Sequence, residues 1–547
     1  MESDRAAELI ESLCDRLEPS SDGLRYSLPG TVSRREHEAL RTAIGLLLRA
    51  QSDVSVVDEP AVAPAPPVET NVALSEAWRE SEPVEDLIAC LDFGTAFSKA
   101  GLGDLKKADG FIELALGKLA GETEEIYPVS SSLFFENGRV LFGPQAVTRS
   151  LLTNRPRLDS IKRYISEMVQ QVDYTVIPPE INITPYAFSL RDGVLLFLAY
   201  LTDLLGQALE AEGASRYTPR RYTLPGLEAK QAQRGAEVDG LMKALLAQAQ
   251  VLADTFQGRW SEGVPVAEAW AALRTVEQLK ELPSGIISDG LPEALAAAQS
   301  AIDKTTNRTL MLVVDVGAGT SDVGAFVVQP GRDGPVVAPV AGTMKVLRKA
   351  GDRIDEALID LILTKAGAVP GSQTHTIYLN ELRLKVRQIK RELLTVTPEG
   401  TLVLLSDDGS VDVTQAELEQ NTKVTAFVRD LKKTMADSLA QLSEEALRSL
   451  NGRCRVVLTG GGSRLGALRD ACGDALTVNG LGISLSVIDA DPEWLSARPQ
   501  DFVDVFDQMA VVAGGCLDPE DFARVARPMT SFGAGAPQRV IEPSYKA

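Results

Sequence analysis

The sequence predicts an α/β protein with more than one core, and three observations support this. The chain has 547 residues, 44% of them hydrophobic, and its length suggests about three or four domain-sized units. From Asp86 onward, β-rich runs alternate with helical runs, which is typical of α/β architectures. Three glycine-rich turns each follow an apolar strand, in the segments 87–103, 310–328 and 455–468.

The composition restricts the class of partner. The net charge of −21 and the pI near 4.8 repel phosphate backbones and anionic lipids, so we expect neither nucleic acid nor a membrane as partner. The five cysteines form no C-x-x-C pair and there are two histidines, which disfavours a zinc site or a disulfide framework and suits a cytoplasmic protein. The most apolar stretch, Val194 to Leu201, is too short to span a bilayer and predicts a buried helix.

The first 84 residues differ in composition from the rest. Residues 1–53 contain two amphipathic helical patterns, the second with capping-box spacing between Ser33 and Glu36, and predict a small helical module. Residues 54–84 are rich in Pro and Ala, which is typical of an extended linker. Two roles for the module stay open: packing on the main body, or binding a partner from a tether.

The first glycine-rich turn has groups that can face an anion or a hard cation. The strand Leu87 to Leu91 ends in Asp92, which can hold water around a cation. Gly94 permits close backbone approach, and Thr95 and Ser98 offer hydroxyl groups. Taken alone, a D-x-G-T sequence is more often an ordinary hairpin turn.

The second turn repeats this design. Asp315 at the strand end and Asp322 after the turn can bracket a metal-bound water, while Gly317, Gly319 and Thr320 present donors to terminal phosphates. Two such hairpins could hold one nucleotide from opposite sides. Phosphoryl transfer to water needs positioning and charge neutralisation, which Mg²⁺, two Asp and one Lys could supply.

The third turn is a strand that runs into Gly460, Gly461 and Gly462 and then into a helix. Backbone exposed by these glycines can lie against a nucleoside, and the guanidinium of Arg464 is free to stack on its base. The alternative for this segment is a close packing turn between a strand and a helix.

In this order and spacing, the three segments resemble the phosphate-one, phosphate-two and adenosine motifs of the superfamily of actin, sugar kinases and heat-shock chaperones. The second is most similar to D-L-G-G-G-T-F-D of the seventy-kilodalton chaperones, with Ala318 in place of one glycine. The third is similar to their G-G-S-T-R-I-P, with Gly466 where proline is usual. The resemblance covers roughly Asp86 to Cys516 and implies a two-lobed actin-like ATPase fold of duplicated ribonuclease H-like domains, with ATP or ADP and Mg²⁺ between the lobes.

The resemblance also implies the site residues. The catalytic residues would be Asp92, Lys162, Asp315, Thr320 and Asp322, with Asp92 and Asp315 holding Mg²⁺ through water. Arg391 and Arg464 would sandwich the adenine. The nucleotide contacts would be Gly94, Thr95, Ala96, Phe97, Lys99, Gly317, Ala318, Gly319, Lys390, Arg391, Gly460, Gly461, Gly462, Ser463 and Arg464.

Two lysines compete for the phosphate contact. Lys162 follows a run that resembles the one leading to the chaperones' catalytic lysine, whereas the run from Lys99 to Asp104 resembles actin, in which the corresponding lysine meets the phosphates. Glu293 is a loose counterpart of the chaperones' catalytic-site glutamate. Arg387 stands where the chaperones carry a glutamate.

The implied domain bounds are 85–300 for lobe I, 301–500 for lobe II, 501–520 for a helix returning to lobe I, and 521–547 for a tail. A helical insertion at about 247–286 lies outside the family pattern and offers a docking surface. Since about 30 residues follow Cys516, we expect no β-rich peptide-binding domain in this sequence.

These features favour an ATP-binding, ATP-hydrolysing chaperone-like protein that acts as a conformational switch on partner proteins, through the N-terminal module or the insertion. The alternatives are a filament-forming actin-like ATPase and a nucleotide-binding scaffold without hydrolysis. A small-molecule kinase is a further alternative, but no catalytic motif for it occurs.

Overall fold

The computed structural model describes residues 18–19, 26–27, 70–82, 84, 86–107, 110–122, 126–167, 175–224, 232–301, 308–330, 335–406, 409–449, 451–488 and 492–517. By its internal contacts the chain divides into two units, Met1–Pro66 and Pro67–Ala547. In the first unit, β1 (Glu18–Pro19) pairs antiparallel with β2 (Tyr26–Ser27). The helices predicted within residues 1–53 and the predicted tail lie outside the described residues.

The first half of the second unit, lobe I, is built from nine strands and seven helices among its described residues. The strands are β3 (Leu87–Asp92), β4 (Phe97–Asp104), β5 (Phe111–Leu114), β6 (Val129–Ser130), β7 (Leu133–Glu136), β8 (Arg139–Phe142), β9 (Arg220–Leu224), β10 (Val264–Pro265) and β11 (Ile287–Pro292). The helices are α1 (Leu116–Ala120), α2 (Gly143–Thr153), α3 (Lys162–Glu167), α4 (Leu190–Ala211), α5 (Ala232–Thr255), α6 (Val266–Val276) and α7 (Glu293–Ser300).

The second half, lobe II with the helices that follow it, contains nine strands and eight helices among its described residues. The strands are β12 (Thr309–Val316), β13 (Ser321–Pro330), β14 (Pro335–Pro339), β15 (Lys345–Leu347), β16 (Thr401–Leu404), β17 (Ser410–Val413), β18 (Arg453–Thr459), β19 (Leu476–Val478) and β20 (Leu481–Ile488). The helices are α8 (Gly351–Lys365), α9 (Gln373–Thr395), α10 (Gln415–Glu419), α11 (Thr422–Leu439), α12 (Glu444–Ser449), α13 (Gly466–Gly473), α14 (Gln500–Val503) and α15 (Phe506–Gly515).

The central sheets of the two lobes have the same topology. In lobe I the order is β11-β9-β3-β4-β5, where β11, β9 and β3 are parallel and β3, β4 and β5 form an antiparallel meander. In lobe II, β20, β18 and β12 are parallel and β12, β13 and β14 form the meander. The predicted two-lobed fold of duplicated ribonuclease H-like domains is therefore confirmed.

The long helix α4 lies in the core of lobe I. Its N-terminus has a capping box, in which the Ser189 hydroxyl accepts from the Asp192 amide and the Asp192 carboxylate accepts from the Ser189 amide. The stretch Val194 to Leu201 is buried, as predicted. In the described part of the chain, α4 alone is long and apolar enough to cross a membrane, but most of it is buried among other elements, and this burial accounts for its composition.

The segment predicted as an insertion at 247–286 forms part of the lobe I core. Its first residues lie in the middle of α5, which begins at Ala232, so the helical pattern crosses the predicted boundary without a break. Trp260 is buried, and β10 pairs with β8. The apolar residues of this segment are thus largely used in packing.

Part of the predicted linker packs on this same segment. Val72, Leu74 and Trp78 are partly buried against the lobe I core. The Ser75 amide donates to Thr255 Oγ1 at 3.0 Å, and Arg79 pairs with Glu281 at 2.6 Å. Residues 70–82 therefore form a strap over lobe I, a contact that composition alone did not indicate.

The two lobes meet where α7 crosses α15. The crossing is lined by small residues, and a Cβ atom added to Gly514 would lie 1.8 Å from the carbonyl oxygen of Ala296. The α15 helix also packs on the strands β3 and β18, one from each lobe. The backbones of these helices approach as closely as they do because no side chain separates them.

We expect Gly514→Ala to destabilise the fold, because the added methyl group collides with backbone rather than with a movable side chain. Overpacking of this kind costs about 1–3 kcal/mol. Urea unfolding measures it. The matched control is Gly240→Ala in α5, where nothing lies within 4 Å of the added Cβ, and where we expect a gain of about 0.5–1 kcal/mol. Equal effects of the two substitutions would contradict this account of the crossing.

Candidate functional site

A cleft of about 560 Å³ lies between the two lobes, a volume within the usual range for small-molecule sites. It is lined by all three of the glycine-rich turns. Of the residues predicted to bind nucleotide or to catalyse its hydrolysis, all line the cleft except Asp322 and Ser463. The cleft therefore brings together three turns that are distant in the chain, the first and second of them more than 200 residues apart.

The first two turns face each other across the cleft. Each connects two antiparallel strands, β3 to β4 and β12 to β13. A Cβ atom on Gly94 would lie 1.9 Å from the Phe97 carbonyl oxygen, so the first turn requires glycine at this position. A Cβ atom on Gly319 would lie 3.6 Å from the methyl group of Thr95, which places the two turns in near contact.

Asp92 is held at the end of β3 by three partners. Lys99 Nζ donates to its Oδ2 at 2.9 Å, and Thr223 Oγ1 donates to its Oδ1 at 2.7 Å. Lys162 Nζ lies 3.9 Å from Oδ1 and forms an ion pair with Glu293. Both candidate lysines therefore reach the same carboxylate, one from the hairpin and one from α3.

The protonation states follow from this pairing. Burial alone would raise the pKa of Asp92, but the two lysines hold it below its usual value. Burial alone would lower the pKa values of Lys99 and Lys162, but Asp92 and Glu293 hold them above their usual values. For Glu293, burial is the larger effect and its pKa is raised despite Lys162. The result is a buried cluster with both lysines charged.

The second turn contributes two buried carboxyl groups whose pKa values are raised. Burial and the neighbouring Glu293 raise the pKa of Asp315 to about 7, and they raise that of Asp322 well above its usual range. Asp322 lies behind the cleft, 1% exposed, where Thr320 Oγ1 donates to its Oδ2 at 3.1 Å. We expected Asp322 to bracket a water beside Asp315. Because Asp322 does not line the cleft, only Asp315 of the two faces that space.

The third turn packs closely against Asp315 and Val316, at the start of the second turn. Gly460 has a φ of 84°, and a Cβ atom there would lie 2.4 Å from Asp315 Oδ1. A Cβ atom on Gly462 would lie 2.4 Å from a Val316 methyl group, whereas one on Gly461 would meet nothing within 4 Å. Gly460 and Gly462 are thus required by packing, and Gly461 presents bare backbone to the cleft.

Arg391 and Arg464, the arginines expected at adenine, both line the cleft. The prediction that the guanidinium of Arg464 is free was wrong. Its Nε and a terminal nitrogen contact the two carboxylate oxygens of Asp507, each at 2.9 Å, and it also donates to the Asp504 carbonyl. Such a bidentate pair fixes the plane of the guanidinium. On the other side, Lys390 pairs with Asp355 at 2.6 Å beside Arg391.

The lining carries more positive than negative groups, in a protein whose net charge is −21. Its carboxylates are Asp92, Glu293, Asp315, Asp352 and Glu356. Its cations are Lys99, Lys162, Arg163, Arg234, Arg348, Lys349, Arg353, Arg387, Lys390, Arg391 and Arg464. An anionic ligand is therefore favoured here and disfavoured over most of the surface.

Comparison with known protein families supports the resemblance to the seventy-kilodalton chaperones. Residues 291–479 match the family model described as Hsp70 protein. The chain carries an Hsp70-like domain of the actin-like ATPase fold. The matched segment begins at the end of β11, includes Glu293 and contains the second and third turns. In general terms, the Hsp70-like domain supports a nucleotide-binding, chaperone-like function.

The sequence did not predict a role for several residues of the site. Thr223, Asp355 and Asp507 lie in segments that resembled the chaperones, but their partners Asp92, Lys390 and Arg464 are distant in the chain. The only available signal was their place directly beside recognisable motif residues. Glu293, matched loosely by sequence, lies in the centre of the charged cluster.

The donor set fits a hard cation such as Mg²⁺. Asp92 and Asp315 present carboxylate oxygens to the cleft. Behind the cleft, Asp322 Oδ1 is buried without a hydrogen-bond partner among the described groups. Within the described ranges, no three His, Cys, Asp or Glu side chains converge as a direct metal cage. A cation here would take much of its coordination from water and from a ligand, as Mg²⁺ commonly does.

We expect Asp315→Asn to stabilise the ligand-free protein in EDTA. The folded pKa of about 7 exceeds the ordinary 3.8, so the folded protein binds more protons and its stability falls as pH rises between these values. The gain from the substitution should be on the order of 3 kcal/mol at pH 8 and small at pH 4. Urea unfolding of both proteins at both pH values tests this. A stability gain that is the same at pH 8 as at pH 4, or no gain at pH 8, would contradict it.

Proposed function

We propose that this chain binds Mg-ATP in the cleft between its lobes and hydrolyses it, acting as a nucleotide-dependent switch on a partner protein. One observation carries the proposal: the strand-end turns of two duplicated lobes face each other across one cleft with Asp92, Lys99 and Asp315, and Lys162 reaches the same cleft from α3. This arrangement matches the needs of phosphoryl transfer, in which positioning and charge neutralisation do most of the work.

In the proposed reaction, the oxygen of water bonds to the terminal phosphorus while the bond to the bridging oxygen breaks, giving ADP, phosphate and a proton. Lys99 and Lys162 neutralise phosphate charge, and their pairing with Asp92 and Glu293 keeps them protonated. Asp315, with a pKa raised to about 7, is suited to orient water and accept its proton. Bound Mg²⁺ would supply further charge neutralisation, held by Asp92 and Asp315 through water.

The two-lobed architecture supports the proposed switch. A ligand that contacts both lobes binds better to the closed arrangement than to an open one, and it shifts the population by this difference in affinity. At the crossing of α7 and α15 the two helix backbones lie against each other, and we take this crossing as the connection about which the lobes rotate.

For the partner surface we favour the N-terminal module over the segment 247–286. The apolar residues of that segment are largely packed into lobe I, and the strap 70–82 covers part of it. Residues 1–53 carry two amphipathic patterns that the sequence leaves available for a protein partner.

The decisive measurement is Mg-dependent ATP hydrolysis by wild-type protein beside Asp315→Asn, with bound nucleotide quantified in both. We expect turnover in the wild type and a loss of at least about 100-fold in the variant, because the group that orients water is lost. Asp412→Asn, in the distant β17, is the control and should keep wild-type turnover. A wild type that binds ATP without turnover would contradict hydrolysis, and one that binds no nucleotide would contradict the site.

A pair of glycine substitutions tests where the nucleoside lies. Gly461→Ala adds a methyl group to open cleft, so we expect nucleotide affinity to fall about tenfold or more with the unfolding midpoint unchanged. Gly460→Ala collides with Asp315 and should lower the midpoint as well. Titration with a fluorescent ATP analogue and urea unfolding separate the two effects. Unchanged affinity in Gly461→Ala would place the nucleoside elsewhere.

A further inference from the structure

Arg387 lines the cleft and joins the two lobes. It lies on α9 of lobe II, and its terminal nitrogen donates to Ser160 Oγ of lobe I at 2.9 Å. A second arginine crosses in the opposite direction, since Arg157 of lobe I donates to the Leu384 carbonyl on α9 at 3.4 Å. The contact between the lobes at this point is therefore reciprocal and specific.

The lobe II side holds Arg387 in a fixed direction. Its guanidinium lies 3.7 Å from an Asp352 oxygen and 4.0 Å from an Asp355 oxygen, both on α8. On the lobe I side, Asp159 adds a further attraction. With carboxylates on both sides, the guanidinium bridges the lobes at a lower entropic cost than a free side chain would.

The segment that Arg387 contacts is the one that ends in Lys162. Ser160 has a φ of 57°, a left-handed conformation that a serine adopts at some cost in free energy. A turn follows at once, in which the amides of Arg163 and Tyr164 donate to the carbonyls of Ser160 and Ile161. Lys162 lies in this turn, so its position depends on this backbone shape, to which Arg387 adds a contact from lobe II.

We infer that Arg387 is a positioning residue, which supports the Ser160 turn only when the lobes are closed and so couples closure to the placement of Lys162. In the closed arrangement Arg387 reaches Ser160, and the lysine is held against Asp92 and Glu293. When the lobes separate, the contact is lost and the turn relaxes. The structural part of this inference stands on these contacts, and its kinetic part rests on the proposed hydrolysis.

Hydrogen exchange tests the structural part without any need for hydrolysis. In Arg387→Ala we expect the amides of residues 158–165 to exchange about tenfold faster than in the wild type, although they lie more than 200 residues away in sequence. Arg387→Lys, which keeps the charge and one donor direction, should restore part of the protection. The matched control is Arg383→Ala, one turn before Arg387 on α9, whose side chain is exposed and which should leave exchange unchanged.

The kinetic part is tested in the same variants. We expect Arg387→Ala to lower kcat for ATP about tenfold and Arg387→Lys to recover part of it. Unchanged exchange at 158–165 in Arg387→Ala would overturn the inference, whatever the turnover. Faster exchange with unchanged kcat would overturn its kinetic part. A wild type without turnover would overturn the proposed hydrolysis and the kinetic part, while the exchange result still decides the structural part.

Discussion

The candidate site depends on the burial of acidic groups at the ends of strands, and the hydrophobic core fixes the positions of those strands. Asp92 ends β3 and Asp315 is the second-last residue of β12, so the same packing that buries the strands also removes these carboxyl groups from bulk water. Burial of charge is costly unless it is paired. Lys99 and Lys162 compensate the cost of burying the charge of Asp92. For Asp315 the cost is only partly compensated, and its pKa is raised. The reactive character of the site is thus a consequence of the fold.

Duplication places these groups opposite one another. Because both lobes use a meander followed by two parallel strands, each brings the turn after its first strand to the same edge of its sheet. The crossing of α7 and α15 then sets the distance between the two edges, with backbone in contact at Gly514 and Ala296. A site made from two such halves is sensitive to the angle between the lobes, and this is the property that a switch requires.

Much of the site could be predicted from local sequence because its parts are local. A strand end, a tight turn and a glycine that must approach backbone all leave a signature within about ten residues, as at Gly94 and Gly460. Contacts between distant residues leave no such signature. Neither the pairing of Arg464 with Asp507 nor the strap over Thr255 follows from periodicity, and α5 crosses the boundary at which the resemblance to the chaperones places an insertion. The raised pKa of Asp322 also depends on neighbours from both lobes, among them Glu293 and Asp315.

The excess of cations in the cleft has a kinetic meaning for an otherwise acidic molecule. A highly charged anion approaching at random meets repulsion over most of the surface and attraction only near the cleft, so the long-range field guides it toward one entrance. Salt shortens the range of that field to about 8 Å at physiological ionic strength. Capture of such an anion should therefore slow as salt is added, while its escape, governed by short contacts within the cleft, changes much less.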